Sequence, residues 1–399
     1  MVSSNEIIDR IKSSISNSKK LEKIQLHEPY FKGSNAYRYL KECIDSGWVS
    51  SNGKWVTEFE RLISEFTGSK YAIAVSNGTV ALRLSLFLAG VRANDEVIIP
   101  PLTFVATANS ISHLGAVPHF VDIEQESLGI CPNALDQHLS DCAEIKGSEV
   151  FNKISRRKIA AIVPVHVFGL PAKIQEIKQV CLKWNLPIIE DAAEALGSKI
   201  KVNNKFTHCG CIGDIGTLSF NGNKIITSGG GGAILTDNDS YGNLARHLSS
   251  TAKVEHPWDF YHDFIAWNDR LPNVNAAIGC AEMEKINSKL IAKRSLHSKF
   301  RKNFEDLKSV EIINERQNCK SNYWLITLRL NGENIESLRY DILKNAHNLK
   351  IFLRPSWILL NELPMYKNAF CGDITEAKNQ SKRLINLPSS PHLSDDYKY

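Results

Sequence analysis

Between residues 71 and 191 short apolar runs alternate with helix-length segments, and few architectures accept that pattern. Residues 71–75, 96–100, 117–121, 159–165 and 187–190 read as strands. Residues 80–89, 104–114 and 172–184 read as helices. Strands separated by helices of this length pair in parallel, because a hairpin cannot make the crossover. The spacing therefore predicts an α/β fold with a large, mostly parallel sheet covered on both faces. One stretch breaks the rule. The apolar run 215–220 passes through a polar turn to Lys224, then four glycines lead into Ala233-Ile234-Leu235. No helix separates these two runs, so part of the sheet is expected to be antiparallel.

The chain has 399 residues, enough for two domains and a large core. Residues 1–25 read as a polar, lysine-rich segment forming a surface helix. Residues 26–284 read as the large domain, with helices at 37–45 and 55–66 and a loop at 46–53 between them. Residues 285–399 read as a smaller α+β C-terminal domain, entered by one long helix over 275–304. No internal repeat or low-complexity segment is present. The net charge is +5 and the basic residues form no block, which points away from nucleic acid and suits a small anionic ligand. Nine scattered cysteines, an odd number, read as reduced thiols in a cytoplasmic protein. Cys209-Gly210-Cys211 lacks the spacing of a zinc site, and no metal is expected. The opening Met-Val-Ser-Ser-Asn-Glu has no apolar core, so no signal peptide is expected. No apolar run reaches 18 residues, so no membrane span is expected.

In open α/β sheets ligands sit at the carboxyl ends of the strands. There Ser76-Asn77-Gly78-Thr79 leads from strand into helix. Gly78 allows close approach of a ligand, and free N–H groups with the Thr79 hydroxyl suit a phosphate. The same residues read equally as an ordinary helix start with Thr79 as the cap. Phe104 follows another strand and can stack on a flat ring or simply belong to the core. Asp191 and Glu194 follow a third strand. Asp191 can keep a pyridine nitrogen protonated and Glu194 can reach a ring hydroxyl, or the two can form a capping box. His166 reads as a satisfied turn histidine. Lys224, between two buried strands, suits a Schiff base with an aldehyde cofactor. A phosphate cradle, a stacking aromatic, an acid and a lysine together are what pyridoxal 5′-phosphate chemistry requires.

Several longer motifs carry a resemblance. They are Ser76 to Thr79, Asp95 to Pro100, Thr103 to Asn109, Glu190 to Glu194, Ser219 to Lys224 and Asn268 to Pro272. On these the chain resembles the DegT/DnrJ/EryC-type sugar-nucleotide aminotransferases, over roughly residues 26–395. The resemblance implies PLP fold type I, like aspartate aminotransferase. It implies that Lys224 forms the Schiff base and moves the proton, and that pyridoxamine 5′-phosphate alternates with pyridoxal 5′-phosphate. Asp191 would pair with the pyridine nitrogen, Glu194 with the ring oxygen and Phe104 with the ring face. Gly78, Thr79 and Ser219 would hold the phosphate, completed by Asn268 from a second copy, so that a homodimer shares its two sites.

Leu26 to Pro29, Gly47 to Ser51, Ser219 to Lys224, Ala252 to Val254 and Leu384 to Ser390 are similar to one branch of that family. Its members aminate UDP-4-keto-6-deoxy-N-acetylglucosamine for bacillosamine and legionaminic acid synthesis. That likeness implies a nucleotide-sugar substrate and L-glutamate as donor. Trp48, Ser50, Asn52, Lys253, Tyr323 and Arg354 are the substrate-binding candidates, each reading equally as a surface or packing residue. A dTDP- or GDP-linked substrate, a pyridoxamine-dependent dehydratase and a non-catalytic regulatory member of the fold remain alternatives. The lysine at 224 speaks against the dehydratase, and the intact set Thr79, Asp191, Ser219 and Lys224 against the regulator.

Overall fold

The computed structural model of the chain describes residues 2–397 apart from 17, 19 and 20. Seven strands run across the main sheet, β1 (Tyr71–Val75), β2 (Glu96–Ile99), β3 (Val117–Phe120), β4 (Lys158–Ile162), β5 (Ile189–Asp191), β6 (Ile215–Ser219) and β7 (Gly232–Thr236), and a hairpin of Ala143–Lys146 and Glu149–Asn152 pairs antiparallel with the start of β4. Across the sheet they run β3-β2-β4-β5-β6-β7-β1, with the β4–β5 seam made by single bridges at Ile162–Ile188 and Val165–Asp191. Of the seven all are parallel except β7, which is antiparallel to both β1 and β6. The exception falls where the chain has a turn in place of a crossover helix, and a turn can only return the chain antiparallel. Both faces are buried. Ala72 and Ala74 of β1 join Phe59 and Leu218 in one core, while Ile73 and Val75 join Ala81 and Leu84 in another.

A second, antiparallel sheet has the order Val310–Ile312, Ile326–Leu330, Leu384–Leu387, Arg354–Pro355. Its core includes Leu296, Phe300, Leu328 and Ile342. Two features differ from the sequence reading. The amino-terminal segment is not a purely surface element. Helix Ser4–Ser14 buries Ile7, Ile8 and Ile11 completely in this second core. An 11-residue helix is marginal alone, whereas burying each isoleucine contributes about 1.5–3 kcal/mol, so packing and not propensity holds it.

Residues 275–304 are also not one helix. They form Asn273–Met283 and Ile286–Phe304, broken at Glu284 and Lys285. Ala276 and Cys280 pack in the large core with Phe59, whereas Leu296 and Phe300 pack in the second. The break lets each helix turn its own apolar stripe to its own core. Among the described residues no helix is long and apolar enough to cross a membrane, and all nine cysteines are free thiols.

Candidate active site

The carboxyl ends of β1, β2, β5 and β6 open onto one cavity of about 260 Å³. At its first corner β1 passes into helix Gly78–Leu88. Asn77, not Thr79, caps this helix: its side-chain oxygen accepts the Val80 N–H at 2.9 Å. Thr79 therefore sits in the first turn and lines the cavity beside Gly78 and Ser219. Two glycines permit the approach. A Cβ on Gly78 would lie 2.9 Å from Ser219 Cβ, and one on Gly232 would lie 2.6 Å from the backbone carbon of Asn77. First-turn N–H groups and two hydroxyls thus meet with no side chain between them, an arrangement that attracts an anion.

Asp191 ends β5 at the floor of the cavity. Its Oδ2 accepts the Thr107 hydroxyl at 2.8 Å and its Oδ1 accepts the Ala193 N–H at 3.2 Å. Burial pushes its carboxyl above the usual range, opposed by Thr107, the Ala193 N–H and Lys224. No helix follows it, so the capping box does not form. Glu194 instead accepts the Phe168 N–H at 2.8 Å through Oε2, across from a separate loop. Burial raises Glu194 as well, and Lys224 opposes the shift. Two buried carboxylates with raised pKa values converge on one cavity, a setting that favours a cationic or hydrogen-bond-donating ligand.

Lys224 follows β6 in a turn closed by its own N–H on Asn221 O at 3.0 Å. Its Nζ lies 3.4 Å from Glu194 Oε1 and 4.0 Å from the centre of the Trp324 ring. The Trp324 indole N–H donates to Asn223 O at 2.6 Å, pinning the turn that carries the lysine. Trp324, Trp357 and Arg354 come from the C-terminal part of the chain and form the far wall. Trp357 stacks on Phe168 at 4.8 Å and stands 6.5 Å from Phe104, whose ring is 51% exposed. Arg354 lines the same cavity with Nε and one terminal nitrogen buried and unpaired. Burial lowers its pKa, and Glu194 opposes that. A guanidinium with unused donors is suited to a carboxylate or phosphate.

Gly78, Thr79, Phe104, Asp191, Glu194, Ser219, Lys224 and Arg354 are thus brought together. Other candidates lie elsewhere. Trp48 and Asn52 line a separate depression with Trp55, in a loop held by Asn273, whose N–H donates to Ser50 O at 2.8 Å. Tyr323 is a core residue: its ring stacks on His297 at 3.6 Å and its hydroxyl donates to Asn314 Oδ1 at 2.9 Å. Its neighbour Trp324 faces the lysine instead, because Tyr323 takes a left-handed backbone conformation (φ 46°) that turns the chain between the two side chains. Lys253 lies over the Phe260 ring at 3.8 Å on an exposed strap, and Asn268 is exposed on the same strap. His166 is buried and satisfied: its Nε2 bonds Glu190 Oε2 at 2.9 Å and its Nδ1 accepts the Ala172 N–H at 3.0 Å. Thr107, Trp324 and Trp357 are cavity residues the sequence reading missed. Thr107 carried a signal, one turn beyond Phe104 in the same motif. The tryptophans carried none.

A family profile, DegT/DnrJ/EryC1/StrS aminotransferase family, matches residues 32–398. A GDP-perosamine synthase of Vibrio cholerae is 37% identical over 94% of this chain and 95% of its own length. One from Escherichia coli O157:H7 is 34% identical over the same shares. A crystal structure of a DegT DnrJ EryC1 StrS aminotransferase from Brucella abortus is similar in fold. It has a TM-score of 0.79 and 25% identity, covering 90% of this chain and 91% of that one.

Proposed function

The chain belongs to the DegT/DnrJ/EryC1/StrS family of PLP-dependent sugar aminotransferases, and on that premise we propose which sugar it aminates. Its substrate is a UDP-linked 4-keto-6-deoxy-N-acetylhexosamine, aminated at C4 with L-glutamate as donor. The observation that carries the chemistry is the meeting of Lys224, Asp191, Glu194 and the Gly78–Thr79–Ser219 corner in one cavity.

The residues fit the cofactor. Asp191 is a buried carboxylate that a protonated ring nitrogen would relieve, and the Gly78 corner offers first-turn N–H groups beside the Thr79 and Ser219 hydroxyls to a phosphate. Glu194 would meet the ring oxygen and Phe104 the ring face. Bound pyridoxal 5′-phosphate supplies an electron sink for the carbon that exchanges its amino group. Lys224 Nζ would take the proton from the donor's α-carbon and return it at C4′ of the cofactor, and in the second half-reaction would carry a proton from C4′ to C4 of the sugar, as general base and then acid each time. Glu194, 3.4 Å away, would hold the ammonium form of that nitrogen while the proton is in transit within each half-reaction. Trp324 and Trp357 exclude water from the lysine, and Arg354 grips the donor carboxylate or the sugar's diphosphate.

The sugar assignment rests on the motifs at Leu26–Pro29, Gly47–Ser51 and Leu384–Ser390. The relatives named GDP-perosamine synthases favour a second reading, a GDP-linked 4-keto-6-deoxyhexose. In either reading a second copy supplies Asn268. The strap that bears it exposes Trp258, Phe260, Tyr261, Phe264 and Ile265, an apolar group suited to burial against another subunit. Trp48, Ser50, Asn52 and Lys253 are then sought at the sugar nucleotide from across that contact.

The test offers PLP-loaded protein L-glutamate with UDP-, GDP- or dTDP-linked 4-keto-6-deoxy sugars. Release of 2-oxoglutarate and the mass of the nucleotide sugar are followed. Ketone replaced by amine in the UDP-N-acetyl sugar supports the assignment. Turnover confined to the GDP or dTDP sugar overturns it in favour of that nucleotide.

A further inference from the structure

His119, His138 and Cys142 lie outside the Lys224 cavity, at the β3 edge of the main sheet. His119 is the third residue of β3 and is fully buried. Its Nδ1 is 2.8 Å from Glu96 Oε2, at the start of β2, and that same oxygen accepts Asn152 Nδ2–H at 2.9 Å. A carboxylate acceptor places the proton on Nδ1 and leaves Nε2 as a lone pair. Helix Pro132–Cys142 presents His138 and Cys142 at i and i+4, on one face, towards that lone pair. The two Nε2 atoms are 2.6 Å apart, and with Cys142 Sγ all three lie within 4.8 Å of one another. Phe370 packs on both imidazoles, with ring centres 4.8 Å from His119 and 5.9 Å from His138.

We propose that His119, His138 and Cys142 form a binding site for a zinc-class divalent cation, with Glu96 as the positioning residue behind His119. Two imidazoles and a thiolate are a borderline-soft set that suits Zn²⁺ over Mg²⁺ or Ca²⁺. The carboxylate behind a ligating histidine is the arrangement that orients such ligands and raises their basicity. The two nitrogens stand closer than a shared ion permits. Tetrahedral zinc with bonds of about 2.0–2.1 Å sets them about 3.3 Å apart, so one ring retreats by less than about 1 Å. His138, the one partly exposed member, makes this adjustment by side-chain rotation on its helix, while His119 is held by Glu96. Binding displaces the thiol proton to solvent, and a water completes the fourth position. The ion would join the edge strand β3 to helix Pro132–Cys142, tying down a sheet edge.

The test uses PLP-loaded protein, stripped with chelator and titrated with zinc chloride by calorimetry, with metal counted by mass spectrometry. One zinc per chain and a higher Tm with zinc are expected. His138→Gln and Cys142→Ser should each abolish that zinc and leave transaminase turnover unchanged, since neither side chain lines the cavity at Lys224. Glu96→Gln should weaken binding by about 10- to 100-fold. Cobalt(II) gives a second readout: a thiolate-to-cobalt charge-transfer band in the parent that is lost in Cys142→Ser. No zinc retained by the parent protein overturns the proposal and leaves a plain hydrogen bond between two imidazoles. Zinc that persists in both His138→Gln and Cys142→Ser overturns it also, by placing the ion on other thiols.

Discussion

At the scale of the residue, the site is a set of charges whose burial has a cost. Lys224 is poised over Trp324 and beside Glu194. Lys224→Ala is expected to lower turnover on the order of 10²–10⁴-fold, read from 2-oxoglutarate release, because the proton carrier is gone. Turnover at the parent rate would remove Lys224 from the chemistry. Asp191 makes a different prediction. Its carboxyl is raised by burial, so in cofactor-free protein the folded state favours the protonated acid. That contribution is present at low pH and is lost as pH rises through the raised pKa. Asp191→Asn should therefore raise the Tm of the cofactor-free protein at neutral pH, by about 1–3 °C. The same change should weaken PLP binding by about 10-fold or more, since a charge-assisted hydrogen bond to the ring nitrogen is lost. Thermal melts with and without cofactor separate the two effects. Equal melting temperatures and equal cofactor affinity would show that Asp191 does not face the ring nitrogen.

Elements matter through how closely they meet. The start of β7 lies against the turn between β1 and helix Gly78–Leu88, and Gly232 makes that contact possible. Gly232→Ala would drive a Cβ into the backbone of Asn77, which cannot swing aside as a side chain can. A loss of about 1–3 kcal/mol is expected in denaturant unfolding, together with weaker cofactor binding because the phosphate corner shifts. Asn77→Ala should cost about 1 kcal/mol by removing the helix cap, with β7 undisturbed. The elements themselves were legible because their signals are local: apolar runs, helix-length spacing, and a turn in place of a crossover before β7. Two readings missed because the deciding partner was remote in sequence. Ser4–Ser14 looked solvated until Phe300 and Ile342 were seen to cover its isoleucines. The 275–304 helix looked continuous until its two halves proved to face two cores.

For the whole molecule, the amino-terminal helix and the strap at 251–268 each make a prediction. Ile8→Ala or Ile11→Ala should cost about 2–5 kcal/mol, measured by denaturant unfolding, although both lie in a segment that reads as polar. For the strap, Lys224→Ala and Asn268→Ala proteins, each weakly active alone, are unfolded together and refolded as a mixture. If Asn268 serves the neighbouring site, random pairing should restore about one quarter of parent activity, from heterodimers with one intact site. Activity no higher than the average of the two variants would assign Asn268 to its own chain.

The amino-acid sequence alone determined the strand–helix alternation, the antiparallel exception and the order of Gly78, Thr79, Asp191, Ser219 and Lys224 at strand ends. Each of these follows from neighbours within a few residues. Only the tertiary structure decided that Arg354, Trp324 and Trp357 wall the lysine, that Tyr323 is core, and that the Trp48 loop stands apart from the cavity. Those facts depend on contacts between different elements, some more than a hundred positions apart, such as Trp324 with Asn223. Side-chain direction at such distances is set by packing between cores, and local sequence holds no record of it.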